Sequence, residues 1–210
     1  MKLFFSPLAC SLATRIALYE AGADATFVEV HPKTKRTEDG ADYLALHPLG
    51  LVPALEIEPG DLVTENAAVL QWVADRFPEA GLAPRDPRER SRLHQWLSFI
   101  GSELHKTLFQ PLLDKTAPEE VKKYARGKEE SRLRWVAERV RGRESLLDRF
   151  SVADGYLFAV LNWSQVTGVD LDRWPSIRAY QAALLRRPSV ARAFADEREL
   201  YARGTSKKSA

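Results

Sequence analysis

The sequence predicts a small α/β domain followed by an all-helical one. Strand and helix signals alternate over the first 80 residues in the order β-α-β, then β-β-α. A stretch with three prolines and a glycine, 78–88, then interrupts the chain. Beyond it, apolar residues recur at helical spacing almost without a break.

Taken in order, Lys2-Leu3-Phe4-Phe5 is an apolar run of strand length, and Ser11 to Glu20 is an amphipathic helix ending at Gly22. Ala25 to Val30 reads as a second strand. The Lys-rich stretch from His31 to Asp42 reads as an exposed loop with room for a helical turn. His47 to Ile57, with two prolines and a glycine near its start, is a loop running into a third strand. Glu58-Pro59-Gly60-Asp61 is a turn signal, with Leu62-Val63 as the hairpin partner. A helix follows from Glu65 to Phe77, with Thr64 as its N-cap and Pro78 as its stop. These elements place the first domain at 1–80. The second, at 87–203, opens with a helix over 87–110. Its stripe of Leu93, Leu97, Ile100, Leu104 and Leu108 is spaced 4, 3, 4, 4, and Pro111 should kink or end it. A highly charged helix spans 118–141. Ser151 then caps a third helix, with Asp154 completing an acidic variant of the capping box, and Tyr156 to Leu161 are apolar all round, as in a central buried helix. Pro175 starts a fourth helix and Pro188 separates a fifth. Residues 204–210, small, polar and basic, read as a disordered tail.

Composition narrows the function. The 210 residues are 45% hydrophobic and include five tryptophans, ample for packed cores. Lys and Arg total 31 against 29 Asp and Glu, so the net +2 gives no argument for nucleic acid or a membrane surface. No long apolar signal region opens the chain, and no run approaches the roughly 18 residues of a membrane span. The single cysteine, Cys10, leaves no intramolecular disulfide. It is consistent with a reducing cytosol, and the expected location is cytoplasmic.

Cys10 stands at a helix start, where unpaired N–H groups and the positive end of the helix dipole favour a thiolate. A small buried hydrophobe is the alternative. Glu65 and Asn66 open another helix. A helix N-terminus attracts a carboxylate while a glutamate attracts an ammonium, and routine first-turn capping is the other reading. On the helix over 87–110, His94, Ser98, Gly101 or Ser102, and His105 form a line of small and polar residues, suited to a groove. Outside any resemblance, His105 reads most plainly as a buried, hydrogen-bonded structural histidine.

Together these motifs carry a resemblance. The element order, Val52-Pro53 entering the third strand, and Thr64-Glu65-Asn66 opening the next helix resemble the thioredoxin-like domain of glutathione transferases. Met1 to Leu12 resembles the start of the bacterial beta class, whose hallmark is a cysteine at this place. Ser102-Glu103-Leu104-His105-Lys106 and Phe150 to Phe158 match two further beta-class motifs. The resemblance reaches Ala202 and implies an α/β thioredoxin-like N-terminal domain plus an all-α C-terminal helical domain, the glutathione transferase architecture. It implies a cytoplasmic homodimer that joins the thiol of glutathione, its co-substrate, to small hydrophobic electrophiles in detoxification. Metal, nucleic acid and membrane have no part in it.

The same resemblance assigns residues. Cys10 and His105 are the catalytic pair. Val52-Pro53 is a cis peptide site whose backbone pairs with a peptide-like ligand, an ordinary trans proline being the plainer alternative. Glutathione contacts are Cys10, Lys35, Val52, Pro53, Glu65, Asn66, Ser98, His105 and Lys106, the last toward a partner subunit's glutathione. Lys33 and Arg36 are substitutes for Lys35. Phe5, Leu8 and Trp163 line the electrophile pocket. Phe5 stands where many members have tyrosine, Leu49 and Leu51 replace a lysine and a glutamine, and Ser98 replaces an asparagine. Ala13 leaves no Cys-x-x-Cys pair, so redox chemistry would be monothiol. Two rivals stay open: a glutathione-dependent disulfide oxidoreductase or peroxidase acting through Cys10, and a non-catalytic binding or regulatory protein that kept the fold.

Overall fold

The computed structural model describes residues 1–206. They form two compact units, Met1–Leu82 with the segment from Pro188 onward, and Ala83–Arg187.

In the first unit, β1 (Lys2–Phe5), α1 (Leu12–Glu20) and β2 (Thr26–Glu29) form the β-α-β half. Strand β1 pairs in parallel with β2, Leu3 opposite Phe27. A short helix, α2 (Tyr43–Leu46), follows the Lys-rich loop, capped by Asp42, whose side chain accepts from the Leu44 N–H. The second half is β3 (Ala54–Glu58), β4 (Asp61–Thr64) and α3 (Asn66–Arg76). The four-stranded mixed sheet has the order β2-β1-β3-β4. Strand β1 is central and apolar because both its faces are covered; Leu3, Phe4 and Phe5 are all buried. Helix α3 begins one residue later than expected. Its cap is Glu65, held at φ 66°, not Thr64, which stays in β4. A turn of 3₁₀ helix from Pro78 to Ala80 ends this stretch.

The second unit begins with α4 (Pro87–Phe99), capped by Asp86. Pro111 does not break this helix. Residues Ile100–Phe109 widen into a π-helical stretch, the Gln110 N–H reaching back to the His105 carbonyl, and α5 (Gln110–Leu113) continues beyond. Then come α6 (Glu119–Val140), α7 (Val152–Asn162), α8 (Ser164–Thr167) and α9 (Pro175–Leu185). Every residue of α7 is buried, as its all-round apolar pattern requires. Its start is a capping box. Asp154 accepts from the Ser151 N–H and hydroxyl, both at 2.8 Å, from the Leu146 N–H at 2.7 Å, and from the Tyr180 hydroxyl.

The last helix, α10 (Pro188–Ser206), belongs to the first unit. The expected helical domain, 87–203, is therefore too long at its C-terminal end: proline at 188 restarts a helix, and that helix packs on α1. It also runs to Ser206, through part of the expected tail at 204–210; positions 207–210 lie outside the described residues.

Replacing Asp154 with alanine strands four donors inside the second unit. The expected loss is about 3 kcal/mol or more, read as a lower urea midpoint at unchanged slope.

Candidate functional site

The site in the first unit is built on a loop without regular structure. Residues 47–53 run from α2 into β3; apart from the His47 and Gly50 N–H groups, which donate to the Tyr43 and His47 carbonyls, the segment draws on side chains. Three successive carbonyls each accept from one side chain. Lys35 Nζ donates to Gly50 O at 2.9 Å, the Tyr43 hydroxyl to Leu51 O at 2.7 Å, and the Cys10 thiol to Val52 O at 3.2 Å. The peptide between Val52 and Pro53 is cis, as the resemblance implies. Sequence reading passed over Tyr43. Its ring is 1% exposed and lies 5.4 Å from Phe4, and burial pushes its hydroxyl well above the ordinary tyrosine range, so it stays a donor. A tyrosine next to a helix-capping aspartate was the available signal.

Cys10 closes the turn before α1. The Ala9 N–H bonds to Ser6 O at 3.0 Å, Ser6 Oγ reaches Val30 O at 2.6 Å, and the Ala13 N–H bonds to Cys10 O at 3.1 Å. Leu8, midway, has φ 59°. The thiol is 7% exposed, and its bond to a carbonyl is one that only protonated sulfur makes. The residue is buried, and its sulfur, as a thiol, sits on the carbonyl of the cis peptide.

Glu65 is exposed at the start of α3, while Asn66 is 6% exposed. Asn66 Oδ1 accepts from the Thr14 hydroxyl at 3.2 Å, and its Nδ2 has no partner among the described residues. A buried amide donor next to an exposed carboxylate and free helix N–H groups suits a ligand that carries both an acid and an amine.

Phe5 is buried in this unit. Its ring is 2% exposed, edge-on to Phe27, with the Arg15 guanidinium 4.3 Å from its centroid. Leu8 is half-buried.

The remaining expected residues are in the second unit. His105 is 7% exposed on the π-helical stretch. Its Nδ1 lies 2.9 Å from the Tyr156 hydroxyl, and its ring is 4.8 Å from that of Trp163, which is itself 7% exposed. Burial pulls the imidazole down to about 4, with Lys106 adding to the effect and a side-chain hydrogen bond to Gln110 opposing it. It is therefore neutral at pH 7. The expected polar line on this helix does not share one environment. His94 and Ser98 are exposed, as is Lys106, whereas His105 is buried. Gly101 lies beside Tyr156, and a Cβ there would make an ordinary contact, 3.6 Å from its hydroxyl. Among the described residues, no group of three His, Cys, Asp or Glu side chains is placed to bind a metal ion, and no helix is long and apolar enough to cross a membrane.

Comparison with known proteins gives a consistent picture. The family profile described as glutathione S-transferase, N-terminal domain, matches residues 1–75, and that described as glutathione S-transferase, C-terminal domain, matches 94–188. Glutathione S-transferase GstA of Escherichia coli O157:H7 is 41% identical over 199 residues, covering 94% of this chain and 98% of the relative. A sphingomonad glutathione S-transferase, solved in complex with glutathione, superposes with a TM-score of 0.88 at 42% identity, covering 94% of this chain and 98% of the other. The beta-class enzyme of Sphingomonas chungbukensis gives 0.88 at 43% identity with the same coverage.

The His105 geometry makes a pH prediction. Its folded value of about 4 lies below the ordinary 6.5, so between those values the folded protein binds fewer protons than the unfolded chain. The stabilisation is fully present above about pH 6.5 and is lost as pH falls toward 4. Imidazole NMR should show His105 titrating near 4, and a His105→Gln variant should lose this part of the acid slope of stability.

Proposed function

The chain belongs to the glutathione S-transferase family, in its bacterial beta class, and is a glutathione transferase; on that basis we propose which of its residues carry the reaction. Glutathione lies along Val52, beside the cis peptide. Its γ-glutamyl ammonium pairs with Glu65, and its α-carboxylate takes the Asn66 amide and the free N–H groups of α3. Lys35 reaches a second carboxylate by leaving the Gly50 carbonyl. The sulfur comes to Cys10. The observation that carries this reading is the thiol donated to Val52 O, the backbone group that a peptide-like ligand would pair with. The glutathione bound to the sphingomonad relative supports the ligand's identity.

In the reaction, the glutathione sulfur attacks an electrophilic carbon, a new S–C bond forms, the leaving group departs with the bonding pair, and the thiol proton passes to solvent. Donors near the sulfur stabilise its thiolate. Cys10 is one such donor. His105 is a second in this proposal, and being neutral it contributes a hydrogen bond, not a charge. Leu8 and Trp163 remain the proposed apolar contacts for a small hydrophobic electrophile. Ser98 and Lys106 are proposed as outer contacts to glutathione, and the working form is a cytoplasmic homodimer without a metal.

A Cys10→Ser variant separates conjugation from redox chemistry. Its hydroxyl still donates, so glutathione binding and conjugation of a chlorodinitrobenzene should stay within about tenfold of wild type. Reduction of hydroxyethyl disulfide, which needs a thiolate on the protein, should vanish. Persistent disulfide reduction would remove the redox alternative for Cys10, and complete loss of conjugation with glutathione still bound would make Cys10 more than an accessory donor. Replacing Glu65 with glutamine should weaken glutathione binding about tenfold or more in calorimetry, since a charge-assisted bond is lost.

A further inference from the structure

Glu197 lies far from Cys10 in sequence, yet its carboxylate reaches the turn that carries the thiol. The side chain is wholly buried in the first unit, at 0% exposure. Oε1 accepts from Arg15 Nε at 2.9 Å, and Oε2 accepts from the Leu8 N–H at 2.7 Å. Arg15 is itself fixed. Its guanidinium lies 4.3 Å from the Phe5 ring centroid and 4.1 Å from that of Phe27. Its Nη1 donates to the Tyr19 hydroxyl at 3.3 Å, which donates to Asp196 at 2.8 Å. One oxygen is thus anchored on a rigid cation while the other meets a single backbone amide. That amide belongs to Leu8, whose φ of 59° is a left-handed conformation that a leucine rarely adopts without outside support. An ion pair serving stability alone has no need of this second contact, and buried pairs often contribute little net stability.

We propose that Glu197 is a positioning residue for Cys10: by holding the Leu8 amide it fixes the turn from Ser6 to Cys10 and so the place of the thiol on Val52. The contact is also sensitive to pH. The charged and titratable groups around the carboxylate are Arg15 and Tyr19 of α1 and Asp196 of α10, with Arg192 stacked on Tyr19. Burial pushes the Glu197 carboxyl up to about 7, against the pull of Arg15 and the Leu8 N–H. Protonation replaces a charge-assisted bond to Leu8 with a neutral one, about half as strong, so the turn loosens as pH falls through this range.

The inference concerns where the thiol is held, independently of what Cys10 does in turnover, and both measurements read the turn directly. In the full-length wild type, amide exchange at Leu8, corrected for intrinsic rate and referred to α7, should become about tenfold more protected from about pH 6 to about pH 8. In Glu197→Gln the amide oxygen can serve Leu8 or Arg15 but not both. That variant should lack the rise, and alkylation of its sole cysteine by iodoacetamide should be several-fold faster than in wild type at about pH 8. Wild-type protection at Leu8 that does not change with pH would overturn the proposal, a result that needs no variant to fold. So would a folded Glu197→Gln with wild-type exchange and alkylation. Loss of conjugation by Cys10→Ser bears on the catalytic reading alone and leaves this one standing.

Discussion

The site depends on how the loop between α2 and β3 satisfies its backbone. Three carbonyls in a row face no strand and no helix, and each takes a donor from a different part of the first unit: Lys35 from the polar loop, Tyr43 from α2, Cys10 from the turn before α1. Unpaired, each carbonyl would carry a desolvation cost of about 1–3 kcal/mol where buried. Of the three donors, the tyrosine is the fixed one, being buried and kept protonated by that burial. The lysine is half-buried at the end of a flexible stem, and the thiol is a weak donor. The loop is therefore pinned most firmly at Leu51, with weaker or more mobile donors at Val52 and Gly50.

Local patterning made much of this legible. The apolar run of β1, the periodicity of α1 and the Ser151–Asp154 capping box each express a rule that acts over a few residues, and each element formed as its rule dictates. The family likeness supplied the cis peptide at Val52-Pro53, which a bare Val-Pro pair does not specify. Contacts between distant positions escaped. Nothing near Arg15 in sequence announces Glu197, and α10 looks like one more helix of the helical half until its Glu197 is seen paired with Arg15 of α1. The π-helical stretch was hidden because a 4, 3, 4, 4 spacing departs too little from 3.6 to betray a wider turn. The contacts of Phe5 with Arg15 and Phe27 are likewise invisible in a sequence, which does not show which face of an aromatic ring a distant residue occupies.

His105 shows how burial shapes what a side chain can do. His105 is buried and hydrogen-bonded, as a structural histidine would be, and that burial strips it of charge at neutral pH. A neutral imidazole still has a donor and an acceptor, but which nitrogen carries the proton depends on Tyr156. The tyrosine thus sets what His105 can offer to anything that meets its other nitrogen.

The return of α10 to the first unit has a bearing on how the protein is made. A ribosome releases the sheet, α1 and α3 early, but the carboxylate that neutralises Arg15 leaves it only after the whole helical unit has been synthesised. Until then the first unit carries an unmatched cation between two phenylalanine rings and an exposed apolar face of α1. The helical unit is an uninterrupted stretch of chain and is free to close first, so that the half of the molecule begun earliest is completed last.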